Sequence, residues 1–159
     1  MSLNFRLGAF AVIAAALGLA AGSWLLRSPV HQITSGTLLP QPRAIADFML
    51  SDHEGKAFSN PQLLGQWSLV FAGFLSCPDV CPTTLSFLHQ LHSELARKNL
   101  DLKVVFLSVD PGRDRPEQIK AYVQHFDPSF TGVTSVEPTS DAGLASFTRS
   151  LGLAYQKVP

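Results

Sequence analysis

Residues 7–26, LGAFAVIAAALGLAAGSWLL, carry no charge and are bracketed by Arg6 and Arg27. A helix of that length is about 30 Å long, the thickness of a bilayer's hydrocarbon core, so the pattern predicts a membrane anchor over 1–27. A cleavable signal peptide is the rival, because Ala20 and Gly22 are small residues following an apolar stretch. Full spanning length and an interfacial Trp24 favour the anchor. Arg6 on one side and Arg27 and Arg43 on the other leave its orientation undecided by charge. Residues 28–43 hold Pro29, Pro40 and Pro42 with no helical or alternating period, the composition of an extended tether.

The folded part begins at Ala44. Weak alternation over 45–50, the turn-forming SDHEG and the segment 56–59 predict a short hairpin. Residues 61–64 make one helical turn ended by Gly65. The segment 68–75, SLVFAGFL, is apolar on nearly every residue, as a strand covered on both faces should be. Pro82 suits the first position of a helix running over 83–99, with Leu85, Leu88, Leu91 and Leu95 on one face. A second buried strand spans 103–109, and a charged loop over 110–115 precedes a helix opened by Pro116 and reaching Phe126. A short strand over 130–136 and a last helix to Leu151, capped by Ser140 and Asp141, complete the pattern. Strands alternating with helices predict an α/β domain over 44–159 with a largely parallel sheet covered on both sides.

Composition narrows the function. Twelve Lys and Arg offset twelve Asp and Glu, so no basic field exists to hold a polyanion and nucleic-acid binding is a poor fit. Two cysteines, Cys77 and Cys81, are too few for a disulfide framework and act as a pair if they act at all. They lie beyond the carboxyl end of a buried strand and at a helix start, where open α/β sheets place their chemistry. The bland alternative is two small core residues, against which stand Pro78, Asp79 and Pro82, the marks of a shaped loop.

With Cys81 just before the first helical residue, the helix dipole should favour its thiolate. Three residues separate the cysteines, one more than in a thioredoxin-like redox motif. The spacing suits a soft metal at least as well as dithiol exchange, and two thiolates select Cu(I) or Zn(II) over hard ions. Structural zinc fits less well, since it takes four protein ligands. Histidine is the natural third ligand, yet His89 and His92 lie about 12 and 16 Å along the helix axis from Cys81. His31, in the tether, His53, in a turn, and His125, near a helix end, read as solvated side chains.

The segment 74–85, FLSCPDVCPTTL, followed after a helix by LSVDPGRDR at 107–115, resembles the Sco/SenC family of membrane-anchored, thioredoxin-like copper proteins. The anchor and the 45–67 hairpin fit the same pattern. The resemblance implies a thioredoxin-like sheet flanked by helices, with Cys77 and Cys81 binding copper as a CxxxC dithiol and cycling between dithiol and disulfide. It also implies copper delivery for assembly of the cytochrome c oxidase copper centre, the partner being the oxidase's copper-bearing subunit or another copper chaperone. Asp79 and Asp110 match the loop acid and the VDP aspartate and would orient the loop or tune thiolate charge.

An anchored domain facing the periplasm or the mitochondrial intermembrane space is implied as well, and the lack of an Arg- and Ser-rich leader favours a bacterial inner membrane. The chain departs from the family in one respect: the family's copper-binding histidine follows the position where this chain stops, and none here matches it. A C-terminally incomplete domain is the expectation, with one edge of the 68–75 strand unpaired. Cu(I) binding should then persist weakly and Cu(II) binding be largely lost. A thiol-disulfide oxidoreductase, with Cys77 attacking and Cys81 resolving, is the enzymatic alternative, and an inactive truncated family member the third.

Overall fold

The computed structural model describes residues 13–19, 21–22, 36–137 and 142–156. The chain divides into two compact units, Met1–Gln41 and Pro42–Pro159. In the first, 13–19 and 21–22 are helical. Among the described residues no helix is long and apolar enough to cross a membrane, and much of the expected 7–26 span lies outside them.

The second unit runs β1 (Leu50–Asp52), β2 (Ala57–Phe58), a 3-10 turn (Asn60–Leu63), β3 (Trp67–Gly73), α1 (Val80–Arg97), β4 (Leu102–Ser108), α2 (Pro116–Phe126), β5 (Thr131–Ser135) and α3 (Ala142–Leu151). The strands form one sheet in the order β2-β1-β5-β4-β3. β3, β4 and β5 are parallel, while β1 runs antiparallel to both β5 and β2. The sheet is therefore mixed, because the β1–β2 connection is a tight turn and only the later strands are joined through helices.

β4 explains why so apolar a segment is a strand. Its side chains alternate between faces, so Val105 and Leu107 enter one core with Phe48, Leu50, Phe58, Leu144 and Phe147. Val104 and Phe106 enter the other, with Leu85, Leu88, Ile119, Val123 and Phe130 from α1, α2 and the turn before β5. Of the two strands expected to be covered on both faces, β4 is fully so, whereas β3 sends Val70 to the first core and Leu69 and Phe71 to the second without being fully buried. β3 is half-buried over most of its length, with Trp67 81% exposed, because it is the edge strand of the described sheet.

α1 starts at Val80, before Pro82. Proline lacks only an amide hydrogen that no residue of a helix's first turn uses, so it marks the first turn without marking its first residue. The other end matches the sequence: Asn99 turns left-handed at φ 55° and its amide, with that of Leu100, closes on the carbonyls of Ala96 and Leu95. The expected cap at Ser140 and Asp141 lies outside the described residues.

Candidate metal centre

β3 and β4 are in register to their carboxyl ends, where Gly73 lies opposite Ser108 and the Val109 amide donates to the Gly73 carbonyl at 2.9 Å. Beyond Gly73 the chain turns, with Cys77 N–H donating to the Phe74 carbonyl at 3.3 Å, and enters α1 through Asp79. Cys81 thus lies in the first turn of the helix and is buried at 5% exposure, whereas Cys77 is half-buried at the rim. Both are free thiols and hydrogen-bond to each other. The Cys81 amide donates to Cys77 Sγ at 3.3 Å.

Gly73 is needed at the strand's end. A Cβ there would stand 2.9 Å from the Phe106 ring and 3.0 Å from Cys81 Sγ, so the missing side chain makes the space in which the sulfur packs. The pair opens onto a cavity of about 380 Å³, lined by Phe71, Phe74, Val80 and Tyr155 among others.

The electrostatics reverse the sequence expectation. The Cys77 thiol is shifted down, first by its hydrogen bond with the Cys81 side chain, then by the backbone amides of Cys81, Asp79 and Val80. Burial pushes Cys81 up to about 11, with the Cys77 hydrogen bond adding to it and a bond from the Phe74 backbone opposing it. The helix N-terminus that was expected to acidify Cys81 serves Cys77, because its free amides point back at the preceding loop while Cys81's own sulfur is turned into the core. Tyr122 is likewise raised to about 12, chiefly by burial and then by proximity to the two sulfurs.

The acids sort differently from their positions in the sequence. Asp79 is exposed, accepting from Thr83 Oγ1 at 3.4 Å, and Asp110 spends its carboxylate on Arg113. The acid that reaches the cysteine loop is Asp114, at 3% exposure, whose Oδ2 accepts from the Leu75 amide at 3.0 Å and from Ser108 Oγ at 2.7 Å. Sequence reasoning passed over it as one charge in the loop 110–115, where nothing but burial distinguishes it from Asp110.

Among the described residues the histidines supply no third ligand. His53, expected to be solvated, has a side chain only 9% exposed, because its Nδ1 accepts the Gly132 amide at 2.8 Å and ties the β1–β2 turn to β5. His89 and His92 both direct Nδ1 to Asp127 Oδ2, at 2.9 and 3.2 Å. His125 is exposed, and His31 lies outside the described residues. Among the described residues no three His, Cys, Asp or Glu side chains gather to hold a metal ion. Two thiols in one open cavity remain, a donor set that fits a soft monovalent ion in two-coordinate geometry and leaves a hard or nitrogen-preferring ion short of ligands.

The sequence model of the family described as SCO1/SenC matches residues 37–159. The chain is 42% identical to an SCO2-like protein of Rickettsia felis over 91 residues, 57% of this chain and 44% of that protein. It spans about half the length of the curated relatives it matches. Among solved structures it is similar to ScoI of Bradyrhizobium japonicum with copper bound, at 36% identity and a TM-score of 0.64, covering 73% of this chain and 72% of that one. It is similar also to BsSco, described as carrying a disulfide switch and as a member of the Sco family of cytochrome c oxidase assembly proteins. There the identity is 25%, the TM-score 0.62 and the coverage 76% of this chain and 71% of that one. The thioredoxin-like α/β fold and the cysteine-bearing segment thus carry the same conclusion as the family match: the chain belongs to the SCO1/SenC family.

Proposed function

We propose that this chain binds copper, as Cu(I), through Cys77 and Cys81 and delivers it for assembly of the copper centre of cytochrome c oxidase. One observation carries the reading: the Cys81 amide holds Cys77 Sγ at 3.3 Å beside a second thiol, at the mouth of a cavity, so two soft donors are brought together before any ion arrives. Copper bound in ScoI of Bradyrhizobium japonicum supports the choice of metal. Bound there, the ion would be held by the two sulfurs, while Gly73 leaves room for the inner one and Asp114 braces the loop that carries the outer one. The recipient is the oxidase's copper-bearing subunit or another copper chaperone. Competition of the chain with a Cu(I)-specific chelator should give one ion per chain, and Cys77→Ala or Cys81→Ala should abolish it.

A second reading, thiol-disulfide exchange on partner cysteines, is favoured by the asymmetry of the pair, an accessible and acidic Cys77 in front of a buried Cys81 held up at about 11. That is the arrangement of an attacking and a resolving thiol. Reduction of a mixed disulfide to two thiols by the copper-free chain, with Cys77 and Cys81 oxidised to a disulfide, identifies this activity, and its absence in a chain that binds Cu(I) leaves the first reading. For location we propose that 7–26 anchors the chain in a bacterial inner membrane with the domain on the periplasmic side, supported by the uncharged run. Protease digestion of intact spheroplasts should remove the domain, and its protection would exclude that orientation.

A further inference from the structure

The carboxylate of Asp114 sits between two strand ends. Its Oδ2 receives Leu75 N–H from the segment leaving β3 and Ser108 Oγ–H from the last residue of β4. The Ser108 hydroxyl oxygen in turn receives the Asp110 amide at 3.2 Å, and the Asp114 amide donates to the Asp110 carbonyl at 2.9 Å. Four hydrogen bonds thereby join Leu75, Ser108, Asp110 and Asp114 into one network, with Ser108 fully buried and Asp114 nearly so. The amide that Asp114 takes up lies two residues before Cys77. Its neighbour, the Phe74 backbone, hydrogen-bonds the Cys81 sulfur and accepts the Cys77 amide.

Leu75 lies beyond the last β3–β4 pair, Gly73 with Ser108, so without Asp114 a half-buried amide would lose its acceptor and the turn from Phe74 to Cys77 would lose this tether to the 108–114 segment. An unmet donor in such a place carries its full desolvation penalty, enough for the loop to re-form around a different bond. Burying a carboxyl group is costly, and the geometry accounts for it: one oxygen joins the segment leaving β3 to the last residue of β4.

We propose that Asp114 is the positioning residue of the cysteine pair, acting through its hydrogen-bond acceptor on Leu75 rather than through its charge. The proposal deepens the copper-binding reading and rests on Cys77 and Cys81 acting together. It predicts that an amide side chain serves as well as a carboxylate, since either presents an oxygen to Leu75, and that a methyl group does not.

The test uses the full chain and two measurements, Cu(I) affinity by chelator competition and the equilibrium constant for Cys77–Cys81 disulfide formation against glutathione, both corrected for the folded fraction. Asp114→Ala should lower Cu(I) affinity about tenfold or more, the size found for groups that orient metal ligands, and should lower the disulfide constant by a similar factor. Asp114→Asn should stay within about threefold of the parent on both, and Ser108→Ala, which leaves the Leu75 bond in place, should fall between. If Asp114→Ala does not fold, Asp114→Asn against Asp114→Leu decides the same question. Equal losses in Asp114→Asn and Asp114→Ala would overturn the proposal, as would an Asp114→Ala chain that folds and matches the parent on both measurements. The glutathione equilibrium needs no metal, so a parent chain that binds no copper would defeat the copper reading while still deciding the role of Asp114.

Discussion

The Cys81 amide donates to Cys77 Sγ at 3.3 Å, so the helix that buries one cysteine solvates the other. The two thiols differ in exposure and acidity although they are four residues apart and hydrogen-bonded. A pair so arranged presents one sulfur to a partner and holds the second in reserve.

Alkylation should therefore be sequential. Near pH 8, iodoacetamide should modify Cys77 at least about tenfold faster than Cys81, since the thiolate is the nucleophile and Cys81 is both buried and raised to about 11. Mass spectrometry of peptides after timed quenching gives the two rates. Equal rates would mean that Cys81 is not packed against Gly73.

Gly73→Ala should harm the site more than its position in a strand suggests. The new methyl meets the Phe106 ring and the Cys81 sulfur at once, and relief requires one of them to move. Urea unfolding should show a loss of about 1–3 kcal/mol. Cys81 should become more reactive in the folded variant, and an unchanged stability with an unchanged alkylation rate would contradict the packing described.

Asp127 sets an acid limit on stability. Burial would raise its pKa, but the Ser129 hydroxyl and amide and the His89 ring, with the nearby His92, more than reverse that and hold it at about 2. An aspartate whose pKa is lower folded than unfolded stabilises the fold above its unfolded value and loses that contribution as pH falls through its folded one. Stability measured by urea should thus drop between about pH 4 and pH 2, and Asp127→Asn should flatten that fall while costing about 1–3 kcal/mol at neutral pH. A fall of the same slope in the variant would assign it to another acid.

The apolar run at 103–109 made β4 legible, and the leucine spacing did the same for α1, because burial patterns are written in side-chain type. Hydrophobicity alone does not say which of the two lies inside the sheet, since 68–75 and 103–109 look alike and differ in how many neighbours they pair with; the unpaired edge of 68–75 follows from the family resemblance and matches the strand order. The cysteine pair was legible from its loop, whereas the ranking of its acidities was not. Helix position argued for Cys81, and the direction in which each sulfur points decided for Cys77. The burial of Asp114 and of His53 was not legible for a common reason: each is a polar residue in a polar loop whose partner is a backbone amide far away in sequence, Leu75 for one and Gly132 for the other.

Two thiols with no imidazole beside them among the described residues should separate the oxidation states of copper. Cu(II) added to the chain should bind weakly or oxidise the pair, leaving no stoichiometric thiolate-to-metal absorption band, because Cu(II) prefers nitrogen and a higher coordination number. A tight one-to-one Cu(II) titration would require a third donor.

The most direct test is X-ray absorption at the copper edge on the chain loaded with one equivalent of Cu(I). The account predicts two sulfur neighbours at low coordination number, both lost in the double variant Cys77→Ala, Cys81→Ala. A first coordination sphere of nitrogen and oxygen alone, or one that survives removal of both cysteines, would contradict it.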